Sequence, residues 1–168
     1  MALICLDTQI LVWGVRKVAS LGQEQNIIKA ENLIDLIVQK KDSILVPSIV
    51  YAELCAPIPE EMIQSFMREM QKKFPIVPFD VNAAYYYRQL VQANAPLREQ
   101  YKNEYYTRSK QFADMKIVAT ALACKATTIY SEDPHLTRIA NGRIEVRPMP
   151  SVPPKQLTLM EDTQRIIQ

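Results

Sequence analysis

Four acidic residues sit where a carboxylate has chemistry to do. Asp7 follows the continuous apolar run Ala2 to Leu6, and Asp133 lies just past the β-branched, apolar run Thr127 to Tyr130. Both runs read as buried strands, and in open α/β sheets ligands bind outside the carboxyl ends of strands. Glu53 and Asp114 fall on helices instead. Glu53 comes four residues after Ile49 and one after Ala52, which assigns it to the inward side of its helix. Asp114 comes three, four and seven residues before Ile117, Val118 and Ala121, along the apolar stripe of its helix. A buried carboxylate without a partner is costly. Two acids on inward faces and two at strand ends make sense together if they share a cation. Oxygen-only ligands without His or Cys suit Mg²⁺ or Mn²⁺. Such ions hold water and phosphate oxygens, and that is phosphodiester chemistry.

Each acid also has an ordinary explanation. Asp114 alone could be a first-turn acid favoured by the helix dipole. Asp133 before Pro134 could mark a plain turn. Glu53 could face solvent if its helix is rotated. Asp7, directly after a buried strand, is the least ordinary of the four.

The elements that must carry these acids alternate. The run from Ala2 to Leu6 is followed by helical patterning, clearest from Glu24 to Lys40, where Ile27, Ile28, Leu33, Ile34, Ile37 and Val38 recur at helical spacing. A second strand is expected at Ile44 to Val46, and Ser48 is a plausible N-cap for the helix after it. Glu60 to Lys73 reads as a helix. Pro75 to Pro78 reads as a short extended piece whose prolines suit a sheet edge. Asp80 caps the next helix, which runs to about Asn94. Pro96 to Lys110 could be an extra helix or a mobile arm. A helix is expected over Phe112 to Lys125, then the Thr127 to Tyr130 strand, a short helix from Pro134 to Ala140 closed by Asn141-Gly142, and a last strand at Ile144 to Val146. Strands alternating with helices imply a three-layer α/β domain around a parallel sheet of about five short strands. Residues 1–147 form this unit. Residues 148–168, opened by Pro148, Pro150, Pro153 and Pro154, read as a Pro-rich tail.

Composition narrows the function classes. At 168 residues, 48% hydrophobic and 23% charged, the chain suits one globular domain and not a disordered one. A net charge of +2 does not announce a polyanion partner, so any RNA-binding surface must group its basic residues. Cys5, Cys55 and Cys124 are odd in number and lie in apolar contexts, which reads as reduced thiols and a cytoplasmic setting. His135 is the only histidine and no CxxC pair occurs, which argues against structural zinc. The opening MALICLDTQ has no basic n-region and does not read as a signal peptide. No apolar run approaches the ~18 residues of a membrane span.

The motifs around the acids have a family look. LDTQILVW, VPSIVYAEL and FADMKIVATALACKATTIYSED, in this order and over roughly residues 2 to 147, resemble the blocks of a PIN domain. The resemblance implies a doubly wound parallel sheet, a carboxylate-bound Mg²⁺ or Mn²⁺, and endonuclease activity, usually on RNA. Many short members are VapC-type toxins held in check by an antitoxin, and many are dimers. Carried over by position, Asp7, Glu53, Asp114 and Asp133 take the four acidic roles, and Thr8 and Ser131 match polar hydroxyl positions beside two of them. Position 9 departs from the pattern, being Gln where Asn is common. Pro134-His135 follows Asp133 where many members carry a further Asp or Asn two residues on. The 94–110 stretch and the Pro-rich tail make the chain longer than a typical toxin.

The leading expectation is therefore a metal-dependent ribonuclease in which Asp7, Asp114 and Asp133 bind the ion and Glu53 either binds it or orients a water. One or two ions remain open. The alternative is a non-catalytic PIN-like RNA-binding or scaffolding protein. A phosphatase or receiver using Asp7 would need a further acid close to the first strand, and position 9 is Gln. Arg98, Lys102, Arg108 and Lys110, interleaved with Tyr101, Tyr105 and Tyr106, suit single-stranded RNA through charge and stacking; Glu99 and Glu104 support a solvated amphipathic helix instead. His135 could touch a phosphate or move a proton, or be a surface loop residue. Trp13 reads as core. Tyr85, Tyr86, Tyr87, Met62, Met67 and Met70 read as core or as the surface of a homodimer.

Overall fold

The computed structural model describes residues 1–96 and 108–151. The sheet has five strands: β1 (Leu3–Leu6), β2 (Ser43–Pro47), β3 (Ile76–Val77), β4 (Thr128–Tyr130) and β5 (Glu145–Arg147). Their order is β3-β2-β1-β4-β5, and every pairing is parallel. In β1, Ile4, Cys5 and Leu6 are all buried although successive side chains point to opposite faces, so both faces of the central strand are covered. The two edges fit their sequences. β3 is flanked by Pro75 and Pro78, and β5 is half exposed.

Seven helices are present among the described residues: α1 (Thr8–Leu11, continuing as a π-helical turn Val12–Arg16), α2 (Gln25–Gln39), α3 (Ser48–Cys55), α4 (Glu60–Lys73), α5 (Val81–Ala93), α6 (Arg108–Ala123) and α7 (Pro134–Ala140). Gly14 lets the π-helical turn lie against α2, since a Cβ there would come within 2.7 Å of Ile34 Cδ1. α6 lies against α3, α5, α7 and β2. Its Gln111, Asp114, Met115, Ile117, Val118, Ala119, Thr120 and Ala121 are buried, so it is a central helix and not a one-sided surface helix. α7 closes on Asn141 in the left-handed region at φ 47°, with Gly142 following at φ 75°, as the Asn-Gly pair implied. No helix among the described residues is long and apolar enough to cross a membrane.

The strand order places the site. From β1 the chain steps outward through β2 to β3, then returns to β4 on the other side of β1. The reversal leaves a crevice at the carboxyl ends of β1 and β4. Asp7 and Asp133 lie at its two sides.

Several sequence expectations need correction. Ser48 is not the N-cap of α3; Pro47 holds that position, and the Ser48 hydroxyl accepts the Phe79 N–H instead. The helix expected from Phe112 is already formed at Arg108, so it includes Lys110. Val38, expected on the inward face of α2, is exposed. Residues 97–107, with Arg98, Lys102 and the tyrosines at 101, 105 and 106, lie outside the described residues, as does 152–168 of the tail.

Candidate active site

Asp7 is the N-cap of α1, and its position is set by uncharged donors. Its Oδ1 accepts the Thr8 N–H at 2.7 Å, and its Oδ2 accepts the Ser131 hydroxyl at 2.7 Å. Ser131 in turn accepts the Asp133 N–H at 3.0 Å, so one hydroxyl ties the ends of β1 and β4 together. Asp133 caps α7. Its Oδ1 accepts the His135 N–H at 2.9 Å, and its Oδ2 meets Lys110 Nζ at 2.7 Å. Glu53, from α3, accepts the hydroxyl of Thr8. Asp114 lies one helical turn beyond Lys110 on α6 and is only 6% exposed.

These side chains line a single cleft of about 580 Å³ with Gln9, Trp13, Gln23, Glu132, Pro134 and His135. The structure thus brings Asp7, Glu53, Asp114, Asp133, Thr8 and Lys110 onto one wall system, with Ser131 buried beneath it. Glu53 reaches it differently from the sequence expectation. It is exposed on α3, whose buried positions are Val50 and Leu54, and it looks into the cleft from the rim. Asp114 is not a first-turn acid, because α6 begins at least six residues earlier, which removes the helix-dipole explanation. His135 belongs to the first turn of α7 and not to a loop, and Trp13 is both core and cleft wall at 3% exposure. Arg108 lies over the Phe112 ring at 5.3 Å and does not line the cleft.

Two lining residues carried no signal in the sequence. Glu132 stands between Ser131 and Asp133, and its Oε1 accepts the Met149 N–H at 2.7 Å, fastening the chain that leaves β5. Gln23 lies before α2, where no periodicity could assign it a direction.

The electrostatics divide the acids. Burial pushes the Asp7 carboxyl up to about 6. The Ser131 and Thr8 hydrogen bonds oppose that rise, and the charges of Asp133 and Glu53 add to it. Burial acts in the same direction on Asp133, but the Lys110 and His135 N–H hydrogen bonds and the ammonium charge outweigh it and hold that carboxyl below its usual range. Lys110 answers reciprocally. Burial lowers it, yet Asp133, and then Asp114 and Asp7, raise it overall.

Would these residues suit a divalent ion? The donor set is hard oxygen, as Mg²⁺ and Mn²⁺ require. Asp7 is a buried carboxylate whose hydrogen bonds come from neutral donors and whose carboxyl burial pushes up, so an added cation would stabilise its charge. Against this, no group of three or more His, Cys, Asp or Glu side chains among the described residues already stands close enough to hold a metal ion. The donors fit in kind, and the carboxylates would have to draw in around the ion.

The PIN domain family model matches residues 4–142. The chain belongs to the PIN-domain family. No curated protein sequence matches it significantly, but solved structures with this PIN fold do. VapBC2 from Rickettsia felis, bound to a DNA fragment from its promoter, superposes with a TM-score of 0.62 at 22% identity, covering 88% of this chain and 99% of that one. VapBC-1 from nontypeable Haemophilus influenzae gives 0.60 at 15% identity, covering 87% and 97%. DNA-bound VapBC from Salmonella typhimurium gives 0.62 at 14% identity, covering 88% and 98%. At these identities the likeness establishes the shared fold of the PIN domain and nothing finer.

Proposed function

We propose that this PIN domain is a metal-dependent endoribonuclease that hydrolyses RNA phosphodiester bonds, and that it serves as the toxin of a toxin–antitoxin pair. The convergence of Asp7, Glu53, Asp114 and Asp133 from four separate chain segments on one cleft carries the catalytic half of this reading. The toxin half rests on the solved neighbours, which are VapBC structures. An antitoxin is the expected protein partner, and residues 1–147 are the catalytic unit. Exposed Met62 on α4 and Tyr85 on α5 supply apolar surface for a homodimer. The expected setting is the cytoplasm.

In this reading Asp7, Asp114 and Asp133 hold Mg²⁺ or Mn²⁺ directly. The chemistry supplied with a bound ion is a nucleophilic water at neutral pH and neutralisation of charge on the phosphorane-like transition state. The protein's own part is orientation. Thr8 N–H and Ser131 fix both oxygens of Asp7, the His135 N–H fixes one oxygen of Asp133, and the Thr8 hydroxyl aims Glu53 at the cleft, where its free oxygen can orient a water.

The test is RNA cleavage by the purified chain with Mn²⁺, with Mg²⁺ and with chelator. Metal-stimulated cleavage that disappears in Asp7→Asn is the expected result. The Lys110–Asp133 pair and the open spacing of the carboxylates favour a second reading, a non-catalytic RNA-binding or scaffolding PIN domain. RNA binding without cleavage under every metal condition would select it.

A further inference from the structure

Lys110 stands where a cleft built for a cation already has one. Its Nζ lies 2.7 Å from Asp133 Oδ2, and its charge is felt by Asp114 and Asp7 as well. Three of the four acids therefore share a tethered ammonium. The tether is fixed at its root, because Lys110 springs from α6 one turn before Asp114. Its tip stays open to solvent, since the side chain is 54% exposed while Asp133 is 19% exposed. Ion pairs this open are weak and exchange readily.

An ammonium is a single point charge that donates hydrogen bonds. A divalent ion carries twice the charge and gathers several oxygens at once. Oδ1 of Asp133 already accepts the His135 N–H and Oδ2 meets Lys110, so a divalent ion and the ammonium would compete for one carboxylate, and two cations on it would repel each other. We infer that Lys110 is an internal counter-cation of the acid cleft: it holds Asp133 while no divalent ion is bound, and it is displaced into the cleft when one binds, where its ammonium is available to a substrate phosphate. The inference rests on the reading that the cleft takes a divalent ion. It adds a competition built into the chain and a phosphate-positioning role for the displaced side chain. Metal loading would thereby switch Lys110 from an internal pair to an external one, so that the basic contact forms only after the acids have been neutralised.

Mn²⁺ binding by calorimetry on the full chain, compared among the parent, Lys110→Met and Asp114→Asn, tests the competition. Lys110→Met should bind Mn²⁺ about two- to fivefold more tightly, the range set by a partly exposed ion pair, and Asp114→Asn should bind it more weakly. A second measurement needs no variant. Acetylation of Lys110 by N-hydroxysuccinimide acetate, followed by peptide mass spectrometry, should accelerate at saturating Mn²⁺, while the exposed Lys41 reacts at an unchanged rate. Unchanged or weaker Mn²⁺ affinity in Lys110→Met, or acetylation of Lys110 that does not rise with Mn²⁺, overturns the inference alone. A parent chain that binds no Mn²⁺ overturns the divalent-ion reading and the inference with it.

Discussion

The two sides of the cleft treat the same kind of side chain in opposite ways. At the end of β1, Asp7 is buried and held by neutral donors, and its carboxyl is pushed up to about 6. At the end of β4, Asp133 is partly open and paired with Lys110, and its carboxyl is held below the usual range. Neutral hydrogen bonds fix where an oxygen sits and offset part of the cost of its ionisation, but at Asp7 burial outweighs them. The Asp7 side therefore stores an unmet demand for positive charge, whereas the Asp133 side has met its demand from within the chain. A cleft arranged in this way separates its acids by proton affinity, the pattern that functional sites use.

The largest effect should come from breaking the demanding side. Asp7→Asn keeps an acceptor for the Thr8 N–H and removes the buried charge. Asp114→Asn removes a buried carboxylate on α6. Each variant should lose at least about a hundredfold in RNA cleavage, the scale of removing one preorganised electrostatic group. Each should also melt no lower than the parent without metal, because repulsion among the acids is relieved. Lys110→Met, on the satisfied side, should melt lower without metal. A large fall in melting temperature for Asp114→Asn would mark that residue as structural.

The second comparison is in pH. Because the folded carboxyl of Asp7 is raised, the native chain holds its proton after the unfolded chain has released it. Between pH about 4 and about 6 stability therefore falls as pH rises. Asp133 contributes with the opposite sign: its stabilisation is present above the unfolded value and is lost as pH falls through its lowered folded value. Denaturant midpoints of the metal-free chain across this range should show less decline in Asp7→Asn than in the parent. Lys110→Met should lose the Asp133 contribution above about pH 4, and with it the further fall in stability that the parent shows below that pH. Superimposable profiles for parent and Asp7→Asn would remove the assignment of the slope to Asp7.

Ser131 joins the two sides, donating to Asp7 and accepting from the Asp133 N–H. Ser131→Ala should raise the Asp7 carboxyl further, since it loses an opposing hydrogen bond. It should also cost about 1–3 kcal/mol by leaving a part-buried N–H without its acceptor. Urea unfolding at neutral pH reads the cost, and the pH profile reads the shift. A neutral substitution would show that water replaces the hydroxyl.

How much of this was legible beforehand depended on whether a local rule and the tertiary environment agreed. The buried strands Leu3–Leu6 and Thr128–Tyr130 announced themselves because parallel strands covered on both faces leave unbroken apolar runs. Asp7 and Asp133 followed from those strand ends. Glu53 was placed on an inward face by its spacing from Ile49, but α3 is short and Val50 and Leu54 carry its burial, so the acid reaches the cleft from an exposed rim. The stripe read along α6 failed as a stripe because that helix is surrounded by α3, α5, α7 and β2, and almost every direction counts as inward. Gln23 and Glu132 could not be found, since loop side chains have no period to betray their direction. Lys110 was legible as one of four basic residues suited to RNA. Its partner was not, because Asp133 lies 23 residues away and only the crossing of α6 with the start of α7 brings them together.

The smallest expected effect separates two basic residues on that same helix. Arg108 and Lys110 both suit an RNA backbone by charge, but they occupy different surroundings. Arg108 rests on the Phe112 ring and does not line the cleft. Lys110 is held by Asp133 until that acid is otherwise neutralised. Each lysine or arginine that meets a phosphate of single-stranded RNA releases counterions and contributes about 0.7 to the slope of log affinity against log salt. Replacing Arg98, Lys102, Arg108 and Lys110 together with Ala should therefore weaken RNA binding and flatten that slope. Arg108→Ala alone should flatten it by no more than about 0.7, equally with and without Mn²⁺. Lys110→Ala should flatten it only when Mn²⁺ is present, because without the ion its ammonium is engaged with Asp133 and displaces no counterion at the strand. Binding should be measured on the same backgrounds in both series, at low temperature and short times when Mn²⁺ is added so that cleavage does not intervene. Equal slopes for Lys110→Ala in both series would place Lys110 permanently with Asp133 and leave the strand to Arg108 and residues beyond it.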